Sequence, residues 1–277
     1  MHPSLHRAGS ATAHRVAGWV PPLARIGYAA KGVVYVLLGY IAFKAGLASG
    51  EPQGTTGALQ SLVDERGGHL MLVLIAAGLL AHVVWRLVQA ALDPEHPGND
   101  AKRVPMRAFY ALSAADYASM AYTAWQLASV GRADGGGDGT EVWVARLLSK
   151  PFGTWLVMAA GLGVIGYGIH QLVKAARGDV NKHMDVAHVG SHAAAPPRAL
   201  TAIGRIGTAA RGLVLLPLGW FVFNAGRLYR ASAAADTGEV LRMLEHGGLL
   251  AAVGLGLVAY GVHQIAKAVY RRIERPA

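Results

Sequence analysis

The sequence predicts an all-α polytopic membrane protein, with six transmembrane helices that form three repeated helical hairpins in a pseudo-threefold arrangement. Three observations predict this fold: long segments without charged residues, glycines spaced seven residues apart, and an internal repeat. The composition agrees, because 53% of the residues are hydrophobic and only 15% are charged. In soluble domains, about a quarter of all residues are charged. We therefore expect a lipid bilayer around most of the chain.

The charge-poor segments have the length that a membrane span needs. The clearest are the second helices of the hairpins, which contain no Lys, Arg, Asp or Glu across their apolar cores. About twenty apolar residues cross the hydrocarbon layer. The six predicted spans are residues 26–47, 67–85, 108–130, 151–173, 206–226 and 247–266.

Two sets of glycines indicate how these helices pack. A seven-residue step is almost two helical turns, so each set lies along one face of its helix. In lipid, small residues allow two helix backbones to approach closely. We therefore assign both sets to helix packing: Gly32, Gly39 and Gly46 in the first hairpin, and Gly212, Gly219 and Gly226 in the third.

An internal repeat organises the whole chain. The octapeptide Arg-Ile-Gly-x-Ala-Ala-(Lys/Arg)-Gly begins at Arg25 and again at Arg205, and a degraded copy begins at Arg107. The degraded copy has an alanine strip in place of the glycines: Ala114, Ala121 and Ala128. Self-similarity of this kind marks a repeated structural unit. The repeats are residues 25–92, 107–178 and 205–271, joined by linkers 93–106 and 179–204.

Basic residues predict the orientation of the hairpins. Basic tails at residues 1–24 and 272–277 flank the repeats, and we expect the first tail to be mobile. Three hairpins place both termini on one side, which holds nearly twice as many Lys and Arg as the other. Such residues concentrate in cytoplasmic loops, so both termini are expected in the cytoplasm. On the opposite side, short amphipathic helices are expected around Leu59 and over residues 142–148.

The octapeptide, the triplicated hairpin and the short outer helices resemble the domain of unknown function 1206 family over about residues 23–271. The resemblance implies a bacterial six-helix membrane protein, and hence the plasma membrane, built from three two-helix repeats. It implies no activity. The middle repeat departs from the octapeptide, because Ser113 stands where the first repeat has Lys31.

Three ionisable residues are predicted to meet inside the membrane. Lys31 and Arg211 occupy equivalent positions in the first and third repeats, and Asp116 follows the matching Ser113 by three residues. A spacing of three keeps Asp116 on nearly the same helix face. Ionisable groups within a membrane are costly and mark functional sites. The alternatives are a salt bridge that fixes the helix register, or basic side chains that extend to lipid phosphates.

Histidines form a second group of candidates. His170 and His263 share the pattern Tyr-Gly-x-His-Gln, whereas His82 is not at the matching position in the first repeat. A facing pair of histidines is able to hold haem or a metal, or to relay protons. The alternative, which the small-residue face around them favours, is a hydrogen bond between helices.

Two further polar clusters, both in loops, are weaker candidates for a binding site. The linker residues Asp179, His183, Asp185, His188 and His192 allow a metal site, although a solvated linker is favoured because no fixed motif is present. The segment 134–138 reads as a flexible turn. No cysteine and no catalytic or phosphate-loop motif occurs, so no enzyme, cofactor or metal is expected.

The leading functional hypothesis is a channel or transporter for small solutes or ions, or a binder of lipid headgroups, with a basic cytoplasmic vestibule that favours anions. Expected partners are anionic lipid headgroups and a small anion or solute, not nucleic acid. The alternatives are a structural or accessory membrane protein that transports nothing, and a haem-binding redox protein that uses His170 and His263. The sequence leaves the oligomeric state open.

Overall fold

The computed structural model describes residues 4–48, 51–92, 104–133, 139–181, 184, 196–245 and 248–270, with backbone only for 4–20, 92, 104–105 and 197. The described chain is helical. Its α-helices are α1 Ser4–Ala48, α2 Thr55–Gln60, α3 Gly68–Leu92, α4 Val104–Val130, α5 Thr140–Leu148, α6 Gly153–Arg177, α7 Pro197–Arg227, α8 Thr237–Met243 and α9 Leu249–Tyr270. Two 3₁₀ turns, Asp179–Asn181 and Ala231–Ala233, lie beside α6 and α7.

The helices follow a threefold pattern of long, short and long. Five of the long helices are long and apolar enough to cross a membrane, so the chain is a multi-pass membrane protein: Pro21–Ala48, Gly68–Ala91, Gly153–Arg177, Arg198–Arg227 and Leu249–Tyr270. The sixth long helix, α4, is not among them. It carries Arg107 and Asp116 together with several serines and tyrosines, which lower its mean hydropathy.

Two helical elements were not predicted from the sequence. Helix α1 begins at Ser4, so the backbone of residues 4–24 is helical, an element that the sequence analysis did not predict. That stretch is free of proline up to Pro21 and contains several alanines, which favour helix. A third short helix, α8, was not expected. Asp236 and Glu239 form a capping box at its start, a signal that the sequence does contain.

The long helices pack in the spatial order α4, α3, α1, α9, α7, α6. The closest pairs join neighbouring repeats, because the second long helix of each repeat packs against the first long helix of the next. These pairs are α3 with α4, α6 with α7, and α9 with α1. Contacts between repeats therefore form the main helix interfaces.

Glycines line two of these interfaces. A Cβ atom added to Gly39 would lie 2.5 Å from the Val258 nitrogen, and one added to Gly219 would lie 2.8 Å from the Gly161 carbonyl oxygen. Such distances leave no room for a side chain. All six glycines of the predicted strips meet α9 or α6 in this way: Gly32, Gly39, Gly46, Gly212, Gly219 and Gly226. The α3–α4 interface instead buries alanines of α4, including Ala121 and Ala124.

The three short helices cover one end of the bundle, here called the short-helix side. Each buries an apolar residue four positions after its first threonine: Leu59, Val144 and Leu241. The opposite end, where linkers 93–106 and 179–204 join the repeats, is called the linker side. This division gives the bundle a covered end and an end that carries the basic residues described next.

Candidate functional site

Arg211 lies at the centre of the bundle and is held by three tyrosines from three helices. Its Nε donates to the hydroxyl of Tyr35 at 3.0 Å, and its Nη1 donates to those of Tyr167 at 3.1 Å and Tyr260 at 3.0 Å. Arg211 is only 9% exposed. A buried guanidinium needs such partners, because desolvation without them is expensive. We call Arg211 with these three tyrosines the arginine–tyrosine partition.

Lys31 lies beside the partition and is 2% exposed. Its ammonium is 4.9 Å from the ring centroid of Tyr117, 5.6 Å from that of Tyr260 and 6.0 Å from that of Tyr35. Aromatic faces attract a cation at such distances. The side chain therefore points into the bundle, and the structure does not show it extending to lipid phosphates.

Asp116 lies on the short-helix side of the partition. It lines a small cavity of about 100 Å³ together with Arg211 and Tyr35. The first threonines of the three short helices also line this cavity: Thr55, Thr140 and Thr237. The structure thus gathers Lys31, Arg211 and Asp116 into one central region, with tyrosines between them.

A larger cavity, here called the vestibule, occupies the linker side and measures about 540 Å³. Four basic side chains line it: Lys31, Arg86, Lys174 and Lys267. No Asp or Glu of the described chain is among its lining residues. The four side chains bring charge of one sign to a single cavity, so this end of the bundle is electropositive.

The arginine–tyrosine partition separates the two cavities. Tyr167 and Tyr260 line the vestibule, whereas Tyr35 and Arg211 line the small cavity. The hydrogen bonds of Arg211 reach tyrosines on both sides. Passage from one cavity to the other would therefore require these bonds to break.

The histidines occupy three different environments. His82 is fully buried, with its ring edge-on to Tyr28 and Tyr117. His263 is also fully buried, and its Nε2 lies 2.9 Å from the Asn181 side-chain oxygen. His170 is exposed and lines the vestibule. None of the contacts found within the described chain joins His170 to His263, so the geometry gives no support to an axial haem pair.

The other ligand candidates contribute no site. No group of three or more His, Cys, Asp or Glu able to hold a metal occurs among the described residues. Most of the linker cluster, His183, Asp185, His188 and His192, lies outside those residues, as does the segment 134–138.

Sequence reasoning missed the tyrosines that hold Arg211. Tyr167 and Tyr260 stand three residues before His170 and His263 in the shared pattern, and His82 is their equivalent in the first repeat. The repeated tyrosines were therefore a usable signal. Charged residues within a membrane mark a functional site directly, whereas the neutral hydroxyls that satisfy a buried cation give a weaker signal in the sequence.

The arginines that open the repeats also have a role that the sequence did not reveal. Arg205 donates from Nε to the Ala175 carbonyl oxygen at 2.8 Å, near the end of α6. Arg107 donates from Nε to the Ala90 carbonyl oxygen at 2.7 Å, near the end of α3. The last carbonyls of a helix lack partners within the helix, so each arginine caps the preceding repeat.

Comparisons with known proteins support the repeat and the family. The sequence model described as Domain of Unknown Function (DUF1206) matches three times, at residues 26–93, 108–178 and 206–271. A Bacillus subtilis (strain 168) protein described as "Uncharacterized protein YxxB" is 31% identical over 265 residues, which cover 92% of each chain. No solved structure matches the chain significantly. The three matches coincide with the three hairpins.

Proposed function

Since the chain belongs to the DUF1206 family, whose description names no function, we propose its function from the geometry. The protein binds a small anion or an anionic headgroup in the vestibule and acts as a channel or transporter for small anionic solutes. Six membrane spans, α4 included, surround the two cavities with pseudo-threefold symmetry. The vestibule and both termini face the cytoplasm, and the membrane is the plasma membrane.

The observation that carries this proposal is the charge of the vestibule. Four cationic side chains converge on a cavity of about 540 Å³ that no described carboxylate lines. Cations so close together repel one another, and that cost falls when an anion binds among them. A purely structural bundle would gain nothing from concentrating like charges around one cavity.

The contacts between repeats support the six-span arrangement. Each second helix packs on the first helix of the next repeat, and α9 returns to α1. The ring of Phe109 in α4 lies 4.4 Å from that of Tyr167 in α6, which brings the two ends of the helix row together. Helix α4 therefore contributes to the wall of the vestibule, which Met106, Phe109 and Tyr110 line. The cytoplasmic orientation rests on the excess of basic residues on the linker side.

The partition supplies the barrier that a transporter needs. With a cavity on each side, an anion in the vestibule stops at Arg211 and its three tyrosines. Release toward the short-helix side would require these side chains to separate. The small cavity beyond them, lined by threonine hydroxyls, would receive the solute.

The test is uptake of chloride and of inorganic phosphate by proteoliposomes, with protein-free liposomes as the blank. We expect the double substitution Lys174→Gln with Lys267→Gln to lower uptake at least tenfold. A charge-assisted hydrogen bond is worth about 1.5–3 kcal/mol, and about 1.4 kcal/mol corresponds to tenfold.

The matched control is Lys44→Gln, which removes an exposed charge from α1 outside the vestibule. Uptake by the wild type that equals the blank, together with no measurable binding of phosphate, would contradict the proposal. Equal uptake by the vestibule and control variants would contradict the role of the vestibule.

A second candidate is a structural or accessory membrane protein that transports nothing. The observation that favours it is the completeness of the partition, in which Arg211 already makes three hydrogen bonds to tyrosines. Under this alternative the partition fixes the rotation of α1, α6, α7 and α9. If the proteoliposomes bind phosphate but take none up, the result would favour this non-transporting candidate. Anion binding in the vestibule would still stand.

A further inference from the structure

The middle hairpin is open where the first and third are closed. A Cβ atom added to Gly256 of α9 would collide with Ala210 of α7, and one added to Gly78 of α3 would collide with Ala30 of α1. The equivalent glycine of the middle repeat is Gly163 of α6, where an added Cβ meets nothing within 4 Å. Over their described ranges, 104–130 and 153–177, α4 and α6 do not form a close-packed pair.

Two larger side chains explain the opening. Phe109 stands where the other repeats have Gly27 and Gly207, which pack directly on His82 and Tyr260. Phe109 instead places its ring against Tyr167. Three residues on, Leu112 stands where the other repeats have the alanines that the hairpin glycines contact. Both changes add bulk between α4 and α6, and so hold the helices apart.

The resulting gap opens into the vestibule. Gly163 and Gly166 are exposed on α6 and line that cavity, while Met106 lines it from α4. From Lys174 to Gly163 is eleven residues, or about 16 Å along the helix. That is about half of the hydrocarbon thickness. The vestibule therefore has basic groups at its mouth and an apolar side opening that extends to the depth of acyl chains.

We propose that the vestibule binds a membrane lipid whose headgroup is anionic and carries hydroxyls, with an acyl chain lying in the gap between α4 and α6. Lys174 and Lys267 would pair with the phosphate. Gln264 is 3% exposed and lines the vestibule, and its side-chain oxygen has no hydrogen-bond partner within the described chain. An oxygen so placed accepts a hydrogen bond from a headgroup hydroxyl.

The side opening favours a lipid over a soluble anion. A soluble anion needs only an entrance from the aqueous linker side, and it gains nothing from an apolar gap. A lipid needs both the basic mouth and the apolar gap, because its headgroup is attracted to the cations while its acyl chain must stay in contact with hydrocarbon. This inference rests on the proposed function, since it names the class of anion that the same vestibule binds.

The test is native mass spectrometry of the purified protein with phosphatidylglycerol, with phosphatidylcholine of the same acyl chains, and with glycerol 3-phosphate. We expect phosphatidylglycerol to be retained at least tenfold better than phosphatidylcholine. Lys174→Gln with Lys267→Gln should lower retention of phosphatidylglycerol and binding of glycerol 3-phosphate alike. Gly163→Leu with Gly166→Leu should lower retention of the lipid only, because it fills the gap and leaves the charges in place.

The control for added bulk is Ala77→Leu, which lies exposed on α3 outside the vestibule and should retain the lipid as the wild type does. If the double leucine variant fails to fold, Gly163→Ala with Gly166→Ala provides a milder obstruction. Binding of glycerol 3-phosphate with lipid retention insensitive to both glycine variants would overturn the lipid inference and leave anion binding intact. Loss of all binding in the wild type would overturn both.

Discussion

The third and middle hairpins are copies of one unit, yet one is closed and the other is open. In the third, α7 and α9 meet through Gly256 and Ala210, with no space for a larger side chain. In the middle, α4 and α6 meet through the rings of Phe109 and Tyr167, and Gly163 is exposed. Both second helices keep the glycine, so the difference originates in the first helix.

This comparison shows how a repeat acquires an asymmetric site. Small residues at two positions allow helices to close within a membrane, where packing is the main attractive contribution. Replacing them on one helix of one repeat opens a gap while the glycine interfaces elsewhere keep the bundle together. The vestibule is therefore asymmetric although the repeat that builds it is threefold.

The strongest test of this comparison places the same substitution at both equivalent glycines. Gly256→Leu should destabilise the protein by about 1–3 kcal/mol or more, because the new side chain must displace α7. Gly163→Leu should change stability by no more than about 0.5 kcal/mol, since it projects into open space. Thermal unfolding of both variants in the same detergent measures the difference. Equal loss of stability would show that the middle hairpin is closed in solution.

A second test closes the gap by restoring the small residues. Phe109→Gly with Leu112→Ala gives the middle repeat the residues of the third, and α4 should then approach α6. The chain has no cysteine, so Gly166→Cys introduces one thiol in the gap. We expect a polar maleimide to modify it about tenfold more slowly in the closed background, as a cost of about 1.4 kcal/mol for opening implies.

The control thiol is Ala77→Cys on the exposed face of α3, whose modification rate should be the same in both backgrounds. Modification of the Gly166→Cys thiol at an unchanged rate would mean that Phe109 and Leu112 do not hold the gap open.

The smallest expected effect concerns the arginines that open the repeats. Arg107→Gln and Arg205→Gln each remove hydrogen bonds to the end of the preceding helix, at about 1 kcal/mol each. The loss at Arg107 should be the larger, because α3 is the one long helix of the described chain on which α4 packs closely, whereas α7 packs on both α6 and α9. Unfolding midpoints of the two variants provide the measurement, and a larger loss for Arg205→Gln would contradict the unequal support of α4 and α7.

The sequence by itself determined the parts of this protein that are local or periodic. The charge-poor segments indicate apolar helices, the octapeptide indicates the repeat, and the heptad spacing of the glycines predicts a close-packed helix face. It also singled out Lys31, Arg211 and Asp116, because their positions within the repeat unit are equivalent or nearly so. These inferences need only the chain order and the geometry of a single helix.

Only the tertiary structure decided how these parts combine into a site. The tyrosines that hold Arg211 lie 44, 49 and 176 residues away from it in sequence. Which hydroxyl meets the guanidinium depends on the rotation and spacing of four helices, and a one-dimensional pattern does not specify either. The vestibule and the open middle hairpin have the same origin: they are spaces between helices, and the size of a space depends on both walls at once.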